Sequence, residues 1–157
     1  MRLLVLAVGR LKDGPERAIV ERYAARLRKG VRSLSITGFD VIEVPESRAR
    51  DAATRKRDEA GVLQTRLPGN AALVLFDERG RTDDSAQFAQ RLERARESAA
   101  PVFACVIGGP DGLDPAWQAE RVAFGRLTLP HQMVRALAVE QLYRATTILQ
   151  GHPYHRE

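Results

Sequence analysis

Apolar residues along this chain fall in short runs, and the runs alternate with longer stretches in which apolar positions recur every three or four residues. Residues 3–8, 39–44, 72–76 and 102–107 are the short runs, rich in branched and aromatic side chains, and they predict buried strands. Residues 15–29, 52–66, 83–98 and 132–149 carry the helical spacing. This alternation predicts an α/β fold: a mostly parallel sheet with helices on both faces. The punctuation agrees. Pro15 suits a first helical turn and Gly30 a helix end, while Thr82 followed by Asp83 and Asp84 reads as a capped, dipole-matched start. Phe88, Leu92, Ala95 and Ala99 give the third helix its apolar stripe; Val134, Leu137, Ala138, Gln141, Leu142, Ala145 and Ile148 share a face of the last.

Composition narrows the picture without fixing a function. At 157 residues and 44% hydrophobic, the chain fits one domain over 1–157, able to bury roughly 70% of its unfolded surface. Twenty-five basic against 20 acidic residues give a net charge of +5, with 22 Arg to 3 Lys, which permits nucleic acid as a partner. Arg50, Arg55, Lys56 and Arg57 crowd together; a solvated helix face is the first reading there and phosphate binding the second. The single Cys105, inside VFACVI, reads as a buried strand residue in a protein of the reducing cytoplasm, without disulfide or metal cluster. The opening apolar run is short and leads into a charged helix, so it reads as a strand rather than a leader. No segment approaches the roughly 20 apolar residues of a membrane span.

In open α/β sheets ligands bind beyond the carboxyl ends of strands. Phe76 leads into DERG, Ile107 into GGPDGLDP, and the apolar piece 124–129 into Pro130 and His131. Gly108 and Gly109 remove side chains where a ligand would approach the backbone, and Asp114 with Pro115 reads as the capped start of a short helix. A P-loop, a dinucleotide fingerprint, HExxH, CxxC and the G-x-S-x-G elbow are all missing. The last helix would anchor a tail, GHPYHRE, with His152, Tyr154, His155, Arg156 and Glu157 close together. Residues 151–157 therefore read either as a site completed by the C-terminus or as a solvated polar tail. His131 reads as a structural cap or a catalytic group, and His152 as structural.

Taken together, the motifs LAVGRLK, IEVP, LFDERG, VIGGPDGLDP, LTLPHQMVR, EQLYRA and HPYHRE, in this order over essentially the whole chain, resemble the RlmH family within the SPOUT superfamily. The stretch AWQAERVAFGR is a few residues shorter than in relatives. The resemblance implies a deep C-terminal trefoil knot and S-adenosyl-L-methionine as cofactor. It also implies methylation of N3 of a pseudouridine in 23S rRNA within the assembled ribosome. Carried over by position, the cofactor contacts fall on Phe76, Gly108, Phe124, Gly125, Arg126, Leu127, Thr128 and Leu129. It further implies a homodimer in which the tail of one subunit completes the pocket of the other, with no metal and no membrane. On that basis His155 is the candidate base for the N3 proton, Arg156 or Arg144 the stabiliser of the anionic ring, and Tyr154 the group that stacks on the base or orients it. The competing readings are a SPOUT enzyme for another RNA and a non-catalytic ribosome-binding factor.

Overall fold

The computed structural model describes residues 1–30 and 32–156. Five strands form one sheet in the order β2-β1-β4-β3-β5, and every pairing is parallel. The strands are β1 (Arg2–Val8), β2 (Gly38–Val44), β3 (Ala72–Thr82), β4 (Val102–Ile107) and β5 (Glu120–Ala123). The helices are α1 (Pro15–Gly30), α2 (Ala52–Gln64), α3 (Ser85–Glu97) and α4 (His131–Leu149).

A side-chain period of two sorts the central strands onto two covered faces. Leu3, Val5 and Ala7 of β1, with Phe103, Cys105 and Ile107 of β4, pack with α1, α3 and α4. Leu4, Leu6 and Val8, with Ala104 and Val106, pack with Ala60 and Leu63 of α2 and with Leu113 and Trp117. Both faces being buried, β1 and β4 read as continuous apolar runs, and burial pushes the Cys105 thiol well above its ordinary pKa.

The helix starts follow the sequence. Asp51 accepts from Thr54 N at 2.8 Å to cap α2, and Asp84 forms a capping box with Gln87 at the head of α3. Asp83, just before it, is buried against Arg91, whose guanidinium holds the carboxyl below the usual carboxylate range.

Four expectations are corrected. β3 does not stop at Phe76: it runs to Thr82, because Phe76 and Arg81 both pair with Val122 and residues 77–80 bulge out between them. The fifth strand is Glu120–Ala123, and 124–129 is a loop. Asp114 and Pro115 make a turn rather than a helix; Asp114 Oδ1 accepts from Ala116 N at 2.9 Å. The α3 stripe holds at Phe88, Leu92 and Ala95, and the α4 stripe rotates. Ala99 lies past α3 at φ 55°, and α4 buries Arg135, Ala138, Val139, Leu142, Ala145 and Thr146, leaving Val134, Leu137, Gln141 and Ile148 half-buried.

Candidate active site

All five strands point their carboxyl ends the same way, so the loops that follow β3, β4 and β5 meet at one edge. Between them lies a cleft of about 680 Å3, walled by Phe76, the glycine loop 108–113, the loop 124–129, Pro130 and His131. Phe76 and Phe124 stack at 4.6 Å with their planes 10° apart, forming an apolar wall. Leu127 is 79% exposed at the mouth. Seven of the eight expected cofactor contacts line this cleft; Arg126 is exposed outside its lining.

The loops are held by short-range constraints that the sequence hardly announces. A β-carbon on Gly108 would sit 2.6 Å from the Gly112 carbonyl carbon, so glycine is needed there to close the loop on itself rather than to admit a ligand. Gly112 has φ 86°, and Gly109 pairs with it across the turn. Arg55 clamps the loop from α2, its guanidinium meeting both Asp111 oxygens at 2.6 and 3.0 Å. The first reading of the basic cluster therefore fits Arg57, but Arg55 is a clamp. Arg121 pairs with Asp77 and donates to the Asp114 carbonyl at 2.7 Å, tying β5, the β3 bulge and the loop after β4 together. Thr128 donates to Glu78 at 2.6 Å and fixes the third loop to the bulge.

At the floor of this edge, Arg135 of α4 is 1% exposed. It donates to Glu43 at 2.5 Å and to the Val8 and Gly9 carbonyls at 3.1 and 2.9 Å, while its Nε has no partner. Glu43 in turn accepts from Leu11 N at 2.7 Å. One buried guanidinium thus joins the end of β1, the end of β2 and the head of α4. His131 is not a cap: Pro130 holds that position, and the imidazole faces the cleft without a hydrogen bond among the described residues. Burial, and secondarily Arg135, lowers its pKa and keeps it neutral at physiological pH.

The tail residues lie elsewhere. Tyr154 bonds Tyr23 of α1 and Glu140 of α4, each at 3.0 Å, and packs edge-on against Tyr143. Burial first, then these two hydrogen bonds, push its phenol pKa up. Arg144 lies 4.8 Å over the Tyr154 ring, donates to Glu140 at 3.0 and 2.6 Å, and faces His155 Nδ1 at 3.5 Å. His152 is exposed, its Nδ1 accepting from Tyr154 N at 3.1 Å. Arg156 is exposed and Glu157 lies outside the described residues. Tyr154, His155 and Arg144 are thus brought together, but none lines the cleft. Arg144 is 13 residues along α4 from His131, roughly 20 Å at 1.5 Å per residue.

A parallel sheet covered on both faces, with a glycine-looped cleft at its carboxyl edge, places the chain in the doubly covered α/β class, whose ligands bind at that edge. The family described as Predicted SPOUT methyltransferase matches residues 1–155. Curated relatives named Ribosomal RNA large subunit methyltransferase H are similar over nearly the whole chain. The one from Bradyrhizobium sp. (strain ORS 278) is 52% identical over 99% of this chain and 98% of its own length. That from Rhodopseudomonas palustris (strain HaA2) is 52% identical, and that from Nitrobacter hamburgensis 50%, each over 99% of both chains. The chain belongs to the SPOUT methyltransferase family.

Proposed function

We propose that the chain is an S-adenosyl-L-methionine-dependent methyltransferase of the cytoplasm that modifies N3 of a pseudouridine in 23S rRNA on the ribosome. The curated relatives at about 50% identity support the rRNA as substrate. The cofactor's fit is supported by the cleft itself. Its volume lies within the roughly 300–1,000 Å3 of small-ligand sites, it offers an apolar aromatic wall, and its glycine loops present backbone groups. Phe76, Gly108, Phe124, Gly125, Leu127, Thr128 and Leu129 would hold the cofactor, with Arg126 at the outer rim. When bound, it supplies the methyl group as an electrophile.

The observation that carries the reading is the separation of the cleft from the Tyr154–His155–Arg144 cluster by the length of α4. A tail that far from its own cleft serves a partner's, so the functional unit is a homodimer of single-domain chains with two composite pockets. Residues 151–157 are then a working part of the site. Its half-buried rim on α4, with Val134 and Leu137 beside the exposed Met133, is the surface proposed for association.

Within that pocket Tyr154 orients the pyrimidine, its hydroxyl fixed by Tyr23 and Glu140. The imide proton must leave N3 before the ring nitrogen is nucleophilic. His155 Nδ1 receives it: the contact with Arg144 is long, so the lone pair is only weakly engaged. Arg156 or Arg144 would stabilise the ring oxygens where negative charge develops, and Glu140, which accepts from Arg144, balances the positive charge beside His155. Orientation supplies the larger share, roughly 7–11 kcal/mol, against about 10² to 10⁴ in rate from the base.

Deleting residues 154–157 tests this. Calorimetric affinity for S-adenosylmethionine should stay near wild type, while methyl transfer to ribosomes, read by mass mapping of 23S rRNA, falls by most of its rate. Loss of cofactor affinity in that variant, or undiminished methylation, would overturn the reading.

A further inference from the structure

Two groups stand out among the 22 arginines of this protein. Those at positions 2, 17, 55, 81, 91, 96, 121, 135 and 144 are paired with carboxylates. A second set projects from the loops at the carboxyl edge of the sheet. Arg10 and Lys12 follow β1, and Arg48 and Arg50 follow β2; all four are exposed, and none of their side chains makes an ion pair or hydrogen bond among the described residues. Arg79 in the bulge of β3 and Lys56 on the cleft rim continue the row, also without such partners.

The carboxylates of the two outer loops are mostly occupied. Asp13 pairs with Arg17 at 3.0 Å and Asp51 caps α2, which leaves Glu46 alone without a hydrogen-bonding or ion-pair partner there among the described residues. Four cations against one such acid would repel one another in an isolated molecule. Two loops on adjacent strands, one of them beside the strand that carries the glycine loop, give the charges a direction. From β2 to β3 the row crosses three inter-strand spacings, roughly 14 Å at about 4.8 Å each, and it ends at the cleft.

We propose that the loops after β1 and β2 form the track on which the phosphates of the substrate RNA lie as the strand leaves the cleft, with Arg10, Lys12, Arg48 and Arg50 as the contacts. The inference rests on the RNA methyltransferase reading above and adds where, outside the pocket, the RNA is held. Phosphate contacts of this kind fix register without reading sequence. The buried Arg135 gives them a rigid base, because it binds the Val8 and Gly9 carbonyls and Glu43 beneath both loops.

The test is the full-length quadruple variant Arg10→Gln, Lys12→Gln, Arg48→Gln, Arg50→Gln, assayed on purified ribosomes. Each phosphate contact contributes roughly −0.7 to −0.9 to the slope of log affinity against log salt, so the slope should become shallower by about 3. KM for ribosomes should rise at least about tenfold at moderate salt, with kcat and affinity for S-adenosylmethionine unchanged. A control variant, Lys29→Gln, Arg66→Gln, Arg94→Gln, removes exposed charge away from these loops and should leave the slope alone. An unchanged slope in the quadruple variant, whether or not KM rises, overturns the track, since the contacts would then be to protein or absent. An equal change in the control also overturns it. Wild-type protein that neither binds S-adenosylmethionine nor methylates ribosomes would instead defeat the underlying reading.

Discussion

Gly80 has no room for a β-carbon. One placed there would lie 2.5 Å from the Val122 nitrogen and 2.6 Å from the Arg121 carbonyl carbon, both backbone atoms that cannot swing aside. The contact arises where the bulge of β3 crosses β5, the crossing that sets the cleft's shape. Overpacking of this sort costs typically 1–3 kcal/mol, and a clash with backbone belongs at the upper end. Gly80→Ala should therefore lose about 3 kcal/mol in urea unfolding and weaken cofactor binding together with stability. A variant as stable as wild type would mean that the crossing relaxes freely. Gly108 obeys the same rule against Gly112, so its place in the cleft was legible in the sequence for a reason that was not: a glycine read as making space for a ligand makes space for its own loop. Arg135 was not legible at all. An arginine inside an apolar helical stripe reads as an interruption, and only its partners, two carbonyls and a carboxylate brought from β1 and β2, reveal it as a bolt.

At the scale of elements, periodicity and caps located the four strands with long apolar runs and all four helices, because each buries a face that the side-chain period must match. β5 escaped. Four residues, of which only two are buried and the first two are Glu and Arg, give no alternation to read. The continuation of β3 through Asp77–Thr82 was hidden likewise, since DERGRT is polar and held by backbone pairing and ion pairs. The end of α3 shows a local conflict. Ala99 adopts φ 55° just after the helix, a left-handed conformation that costs a non-glycine residue roughly 1–2 kcal/mol. Ala99→Gly should recover part of that, about 0.5–1 kcal/mol, as a higher urea midpoint with unchanged m-value and activity. A lower midpoint would show that loss of unfolded-state entropy restriction outweighs relief of the backbone.

At the scale of the whole molecule, α4 is the organising element. Its head carries His131 and the buried Arg135 at the carboxyl edge of the sheet, and its tail end carries Arg144, packed with Tyr154 and His155. The sequence signalled both ends, as LTLPHQMVR and HPYHRE, but not the distance that the rigid helix sets between them. That distance is what makes the two-subunit pocket the central claim. It is tested most directly by mixing two inactive chains: one lacking residues 154–157, and one full-length chain carrying Leu127→Asp and Leu129→Asp, verified to bind no S-adenosylmethionine. Leu127 is exposed, so the fold of the second chain is spared the first change, and both chains are checked for folding and for heterodimer formation. In a heterodimer the first chain contributes an intact cleft and the second an intact tail, which restores one pocket of the two. The account predicts methyl transfer per heterodimer at about half the wild-type level; no recovery in verified heterodimers would contradict it and return each tail to its own subunit.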